Sequence, residues 1–178
     1  MSTFFIADLH LGHKSMAIKR GFSSTFEHDE YLIKQWNKVV SKKDKVFILG
    51  DVSMESHNWY FYLDQMNGFK SVVLGNHDLP QHIPELLKYV EHISGMVKYS
   101  TANFPKIFLT HCPIHTRELD YRVKYNIHGH IHEYNVMRTE TIGKYGHTRE
   151  VKDDRYINVS CEQIDYTPKK IEQLIKLK

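Results

Sequence analysis

Five short stretches of the chain bring together carboxylate, amide and imidazole side chains. They are Asp8-x-His10, Gly50-Asp51, Gly75-Asn76-His77-Asp78, His111 and Gly129-His130-x-His132. Oxygen and imidazole nitrogen donors without a thiolate make the ligand set of borderline divalent metals. Each stretch follows a short apolar run. Polar residues buried at such places need partners, and a metal satisfies several of them at once. The interleaved glycines let the backbone approach closely or take positive φ.

The apolar runs read as strands: Thr3 to Ala7, Val46 to Leu49, Ser71 to Leu74, Met96 to Tyr99, Lys106 to Leu109 and the shorter Tyr125 to Ile127. Between them lie helical patterns. Ser24-x-x-Glu27 resembles a capping box, and Leu32, Trp36, Val39 and Val40 follow at helical spacing. Further helices are expected over Trp59 to Met66 and near Ile83 to Tyr89. Thr167-Pro168 reads as an N-cap and first-turn proline opening a last helix, with Ile171, Leu174 and Ile175 on one face. Gly143 and Gly146 suggest a turn in a polar surface hairpin over 137–155. Strands alternating with helices imply an α/β chain, here read as a single domain over 1–178. In such sheets ligands gather beyond the carboxyl ends of the strands, where all five stretches fall.

Composition narrows the class. The 178 residues carry 24 Lys and Arg against 21 Asp and Glu, a formal charge of +3 with histidine neutral. That gives no strong pull toward nucleic acid or acidic membranes. The 41% hydrophobic content suits a sizeable core, and no apolar run is long enough to span a bilayer. Two cysteines make no disulfide framework and suit a reducing, cytoplasmic setting.

The five stretches match, in order, the motif series of the calcineurin-like metallophosphoesterases. Around Asp8 to Phe22 the chain is similar to small bacterial and phage members. The resemblance covers residues 8 to 132. It implies a layered αββα sandwich of two facing mixed sheets with helices outside. It also implies a first metal held by Asp8, His10, Asp51 and His132, and a second held by Asp51, Asn76, His111 and His130, with Asp51 bridging. Mn²⁺ is favoured, with Fe, Zn²⁺ or Ni²⁺ compatible with the donors. Ions roughly 3.5–4 Å apart repel, so a bridging carboxylate and hydroxide belong between them. Such a centre keeps a residual charge of about +1, enough to attract a phosphate oxyanion. His77 is implied to face the substrate as a general acid, with Asp78 orienting it.

Other positions carry weaker expectations. His13, Lys14 and Arg20, and His115 and Arg117, are candidate substrate contacts, arginine offering forked hydrogen bonds to phosphate. Histidines 28, 57, 82, 92 and 147 read as solvated surface residues. His128 is expected to alternate away from the site, or to support it from behind. Cys112, one residue past His111, reads as a small buried apolar residue on the opposite side.

The function that follows is metal-dependent phosphoester hydrolysis by in-line attack of a metal-bridging hydroxide. A phosphodiesterase on small nucleotide-like or cyclic diesters is favoured. Phosphomonoesterase and nuclease are the alternatives within the class, and a catalytically silent protein-interaction scaffold the alternative outside it. All seven ligand positions and His77 being present speaks against the scaffold. The short, charge-balanced stretch after His132 speaks against a nucleic-acid polymer, since each phosphate neutralised requires a nearby cation. Oligomeric state is left open.

Overall fold

The computed structural model describes residues 1–120, 122–144 and 146–175. Its first sheet has five strands in the order β11-β1-β2-β3-β4. These are β1 (Thr3–Ile6), β2 (Lys45–Ile48), β3 (Phe69–Val73), β4 (His92–Ser94) and β11 (Lys169–Lys170). Strands β1 to β4 run parallel, and β11 closes the edge antiparallel to β1. The second sheet orders β10-β7-β6-β5. Its members are β5 (Val97–Thr101), β6 (Phe104–Leu109), β7 (Val123–His128) and β10 (Tyr156–Asn158). Here β6, β7 and β10 are parallel and β5 is antiparallel to β6. Both sheets are mixed, as the layered sandwich requires.

Parallel neighbours need long crossovers, and these hold the helices. Helices α1 (Lys14–Lys19) and α2 (Thr25–Val39) join β1 to β2, and α3 (Ile83–Leu86) lies between β3 and β4. In α2 the Ser24 hydroxyl accepts from the Glu27 N–H. The reciprocal half of the capping box slips by one residue, because the Glu27 carboxylate accepts from Ser23 N–H and Oγ–H. Leu32, Ile33 and Trp36 form its buried face, and the Trp36 indole N–H donates to the Asn67 carbonyl at 2.8 Å. Val40 is buried at the helix end, whereas Val39 is exposed.

The sheets meet through aromatic rings. Tyr99 of β5 stands edge-on to Phe5 of β1 and Phe47 of β2, at 5.5 and 5.7 Å between centroids. Ala7 N–H also donates to the Val159 carbonyl, tying the end of β1 to the second sheet. Core residues Phe5, Ile48 and Val72 from one sheet join Ile107, Leu109 and Ile127 from the other. All strands that precede the five motifs therefore point their carboxyl ends at one edge.

Four local expectations change. Residues His57–Gln65 form a 3₁₀ helix rather than an α-helix. The segment is rich in aromatic residues of middling helix propensity and buries Tyr60 and Leu63, three residues apart. Helix α3 is a single turn, and β4 carries no periodic signal in its three residues. The last helix, α4 (Ile171–Leu174), starts after β11 rather than at Thr167, and it buries Ile171. The hairpin forms as expected from β8 (Met137–Ile142) and β9 (His147–Lys152), with Arg149 forked onto Glu140 at 2.8 and 3.0 Å. Among the described residues, no helix is long and apolar enough to cross a membrane.

Candidate metal centre

The loops after β1, β2, β3, β6 and β7 converge on one site. Asp8, His10, Asp51, His130 and His132 all have positive φ, between 45° and 72°. Non-glycine residues avoid that region, and such strain concentrates where a site must be shaped. Two glycines make room. Gly50 has φ 84°, and a Cβ there would run into the His111 ring; a Cβ on Gly129 would run into the Asp8 carboxylate.

Two donor groups stand side by side. Asp8, His10 and His132 place ligand atoms within 4.8 Å of one another, and so do Asp8, Asp51 and His111. Asp51 Oδ2 lies between the two, 3.8 Å from His10 Nε2 and 3.4 Å from His111 Nε2. His111 Nε2 is 2.9 Å from Asn76 Oδ1 and 3.2 Å from His130 Nδ1. His111 donates from Nδ1 to the Leu49 carbonyl at 2.8 Å, so Nε2 is the ring nitrogen left to face Asp51 and Asn76. The seven expected ligands are thus brought together, with Asp51 between the two groups.

Whether a cation fits is decided by what the donors lack. The His10 ring is buried, with 2% of the residue exposed, and both its nitrogens are without a hydrogen-bond partner. Burial outweighs the pull of Asp51 and lowers its pKa to about 3, so it stays neutral with a free lone pair. Asp51 Oδ2, Asn76 Oδ1 and His130 Nδ1 also crowd His111 Nε2, at 3.4, 2.9 and 3.2 Å. Only positive charge reconciles such a cluster. Burial alone would lower the His111 imidazole, yet Asp51 and Asp8 raise it to about 9, the response of a site that demands a cation. Burial pushes the Asp8 carboxyl up against the pull of His111 and His132. The donors fit divalent metal.

His77 lies at the mouth, its ring 6.0 Å from that of His10. Its N–H donates to Asp51 Oδ1 at 3.0 Å, and Nδ1 lies 3.2 Å from Glu55 Oε1. Asp78 does not orient it. The Asp78 carboxylate accepts the backbone N–H groups of Asp51, Val52 and Gly75 at 2.8, 3.0 and 2.8 Å. It clamps the β2 and β3 loops together, and Glu55 takes the place expected for Asp78.

The candidate substrate contacts divide. His13 stays near the site, its ring 5.8 Å from His10 and its Nδ1 buried without a partner. Lys14 is exposed beside it. His115 and Arg117 are exposed, and His115 Nδ1 accepts the Arg117 N–H at 3.3 Å. Arg20 is a correction: its side chain is 1% exposed and bound to protein groups, so it faces no substrate. His28 is a second correction, being fully buried, with Nδ1 2.7 Å from Asp29 Oδ1. His57, His92 and His147 are exposed, and His82 is half-buried with its ring 4.9 Å from His57. His128 is buried, with Nδ1 2.9 Å from the Gly129 carbonyl. Cys112 is a third correction. It is exposed, and its Sγ lies within 4.8 Å of ligand atoms of His111 and His130, because the chain after Thr110 bends instead of continuing as a strand.

Two carboxylates escaped the sequence reading. Glu55 had only its position four residues past Asp51 as a signal. Glu162 had none, yet its Oε1 lies 3.2 Å from His132 Nδ1. Burial would raise the Glu162 carboxyl, but His132 and Arg20 hold it at about 2. Beside His130 and His132 a cavity of about 490 Å³ opens, walled by Lys19, Pro113, Tyr134 and Val136.

No family model matches the chain. The chain is 33% identical over 165 residues to the Gene 66 protein of Mycobacterium phage L5, covering 76% of this chain and 80% of that one. An uncharacterized protein of Methanocaldococcus jannaschii is 29% identical over 179 residues, covering 98% and 89% respectively. Among solved structures, a protein of unknown function from Aquifex aeolicus has the same fold, with a TM-score of 0.68 at 20% identity over 98% of this chain and 99% of that one.

Proposed function

The chain belongs to the same family as the Gene 66 protein of Mycobacterium phage L5 and, by its motif series, to the calcineurin-like metallophosphoesterases; from that premise we propose that it hydrolyses small phosphodiesters with two divalent metal ions. The observation that carries the reading is the convergence of acceptor atoms around Asp51 Oδ2, with the buried His10 ring unpartnered beside it. Asp8, His10, Asp51 and His132 would hold one ion, and Asp51, Asn76, His111 and His130 the other. When bound, such ions draw charge from phosphoryl oxygens and lower the pKa of water to about 7.

The protein's own groups do the rest. Asp51 keeps the two ligand sets in register through one carboxylate. Asp78 fixes the loops that carry Asp51 and Asn76 by binding three of their N–H groups. His77 stands where a leaving-group oxygen would emerge and gives it a proton. Glu55 accepts from His77 Nδ1 and so aims the other ring nitrogen at the mouth. The residual positive charge of the loaded site favours a singly charged diester, whereas a monoester dianion would bind tightly and linger as product.

Mn²⁺-dependent hydrolysis of bis(4-nitrophenyl) phosphate, compared with 4-nitrophenyl phosphate and with duplex DNA, tests the reading. Faster turnover of the diester, abolished by EDTA and restored by Mn²⁺, is expected. A preference for the monoester, or processive cutting of DNA, would overturn the small-diester assignment. Absence of any metal uptake would favour the scaffold instead.

A further inference from the structure

Behind the metal centre lies a buried charged pair that the proposed reaction does not use. Arg20 Nε donates to Glu162 Oε1 at 2.8 Å. Its Nη2 donates to the Asp8 carbonyl at 2.7 Å and its Nη1 to the Leu9 carbonyl at 3.1 Å. Those carbonyls belong to the two peptide groups that link Asp8 to His10, and these two residues are held at positive φ. On the far side, Nη1 lies 2.9 Å from His28 Nε2. A guanidinium has only donors, so His28 accepts at Nε2 and donates from Nδ1 to Asp29. Asp29 Oδ2 then accepts the Gly12 N–H at 2.9 Å, closing the loop between β1 and α1.

The same Glu162 oxygen meets His132 Nδ1 at 3.2 Å. A carboxylate only accepts, so Nδ1 carries the hydrogen and Nε2 keeps its lone pair for an ion. The His132 carbonyl is pinned as well, accepting from Asn158 Nδ2 at 2.8 Å and Gln163 Nε2 at 3.1 Å.

We infer that Arg20 and Glu162 form a clamp for the first metal site, one guanidinium fixing the Asp8–His10 backbone while its carboxylate partner fixes the ring of His132. Neither residue reaches the ion; both are positioning residues. The second site is linked to them only indirectly, through the His130 N–H that donates to the Asp8 carboxylate; among the described residues no hydrogen bond or ion pair joins Asn76, His111 or His130 to the pair itself. The clamp rests on the metal reading given above, and it predicts an asymmetry that reading alone does not: damage to the pair weakens one ion and spares the other.

The test is Mn²⁺ titration of the metal-free full chain by calorimetry, with electron paramagnetic resonance to separate paired from single ions. Glu162→Gln keeps the shape and removes the charge. Arg20→Lys keeps the charge but cannot span the four acceptors. Each is expected to weaken one Mn²⁺ by about 10–100-fold, the usual worth of a group that orients a ligand. The other ion should bind as in the parent. Glu133→Gln, at an exposed ion pair with Lys19, should change neither. Long-range ¹H–¹⁵N correlation on the metal-free parent supplies a readout that needs no variant: His132 is expected as the Nδ1–H tautomer. Folded variants that take up both ions like the parent, equal weakening of both ions, or an Nε2–H tautomer would overturn the clamp. A parent that takes up no Mn²⁺ would overturn the metal reading and the clamp together, whereas a parent with two ions and unaffected variants would overturn the clamp alone.

Discussion

Asp8, His10 and His132 line the floor of the metal centre, while Asn76 and His130 stand exposed at its rim. The floor is gripped from behind by groups distant in sequence: Arg20 donates to the Asp8 and Leu9 carbonyls at 2.7 and 3.1 Å, and Glu162 backs His132. The rim is held chiefly by Asp78, which binds the Gly75 N–H three residues away and ties that loop to the Asp51 and Val52 N–H groups. A buried half that is over-determined by long-range bonds can hold strained backbone. An open half made of short loops leaves space for a ligand to enter and leave. That division matches the chemistry proposed, in which binding is fixed from below and proton transfer happens at the mouth.

Asp51 belongs to both halves, so replacing it should break the comparison outright. Asp51→Asn removes a charge shared between two ions. At several kcal/mol for each ion, about 6 kcal/mol together, the loss in kcat/KM is expected near 10⁴-fold. Metal analysis should show fewer than two ions per chain. Full activity with two ions retained would mean that the halves are not joined through this carboxylate.

His77→Asn should instead separate them. His77 touches Asp51 only through its backbone N–H, which asparagine retains, so both ions should stay bound. kcat is expected to fall by about 10³-fold, within the usual range for general acid–base groups. The fall should be far smaller for a 4-nitrophenyl ester than for an alkyl ester, because nitrophenolate leaves without a proton. An equal fall on both would show that His77 binds phosphate rather than protonating the leaving group. Glu55→Gln should produce the same pattern in weaker form.

The motif series made the ligands legible because each sits two to four residues past a strand, where spacing and strand direction settle the geometry together. The partners that hold those ligands were not legible. Arg20 lies in a loop rich in polar residues and reads as a phosphate contact, yet tertiary packing turned it inward onto two carbonyls. His28 sits on α2 among charged neighbours, and only Arg20 and Asp29 explain why a polar ring is buried there. Cys112 was misplaced for a simpler reason: alternation holds in strands, and the chain had already left β6. The parts of the fold least visible to periodicity were its shortest strands, β4 and β10 with three residues each and β11 with two.

His128 offers a way to sharpen the floor without touching an ion. It is fully buried behind Gly129, and burial lowers its pKa from 6.5 to about 4. The unfolded chain therefore binds a proton between those values that the folded chain does not. Stability from this residue is complete above pH 6.5 and declines as pH falls toward 4, by up to about 3 kcal/mol. His128→Asn cannot take up that proton and can still donate to the Gly129 carbonyl. Urea denaturation at pH 7 and pH 4.5 should show a smaller acid-induced drop in the variant than in the parent, with kcat at neutral pH unchanged. An undiminished drop would place the acid sensitivity in the metal ligands alone.

The smallest effect is expected at the outer rim. His115 and Arg117 lie on an exposed 3₁₀ turn, and the one bond recorded between them is the Arg117 N–H to His115 Nδ1. Exposed charges of this kind contribute about 0–1 kcal/mol even when they pair, because water screens them and the side chain loses freedom on binding. Arg117→Ala should therefore raise KM for bis(4-nitrophenyl) phosphate by less than about fivefold and leave kcat alone. The comparison of halves would be sharpened by a contrast within the same assay: a small change at Arg117 beside a large one at His77 would confine the chemistry to the mouth. A tenfold or greater rise in KM would show instead that the loop after β6 folds over the bound phosphate, extending the open half beyond Asn76 and His130.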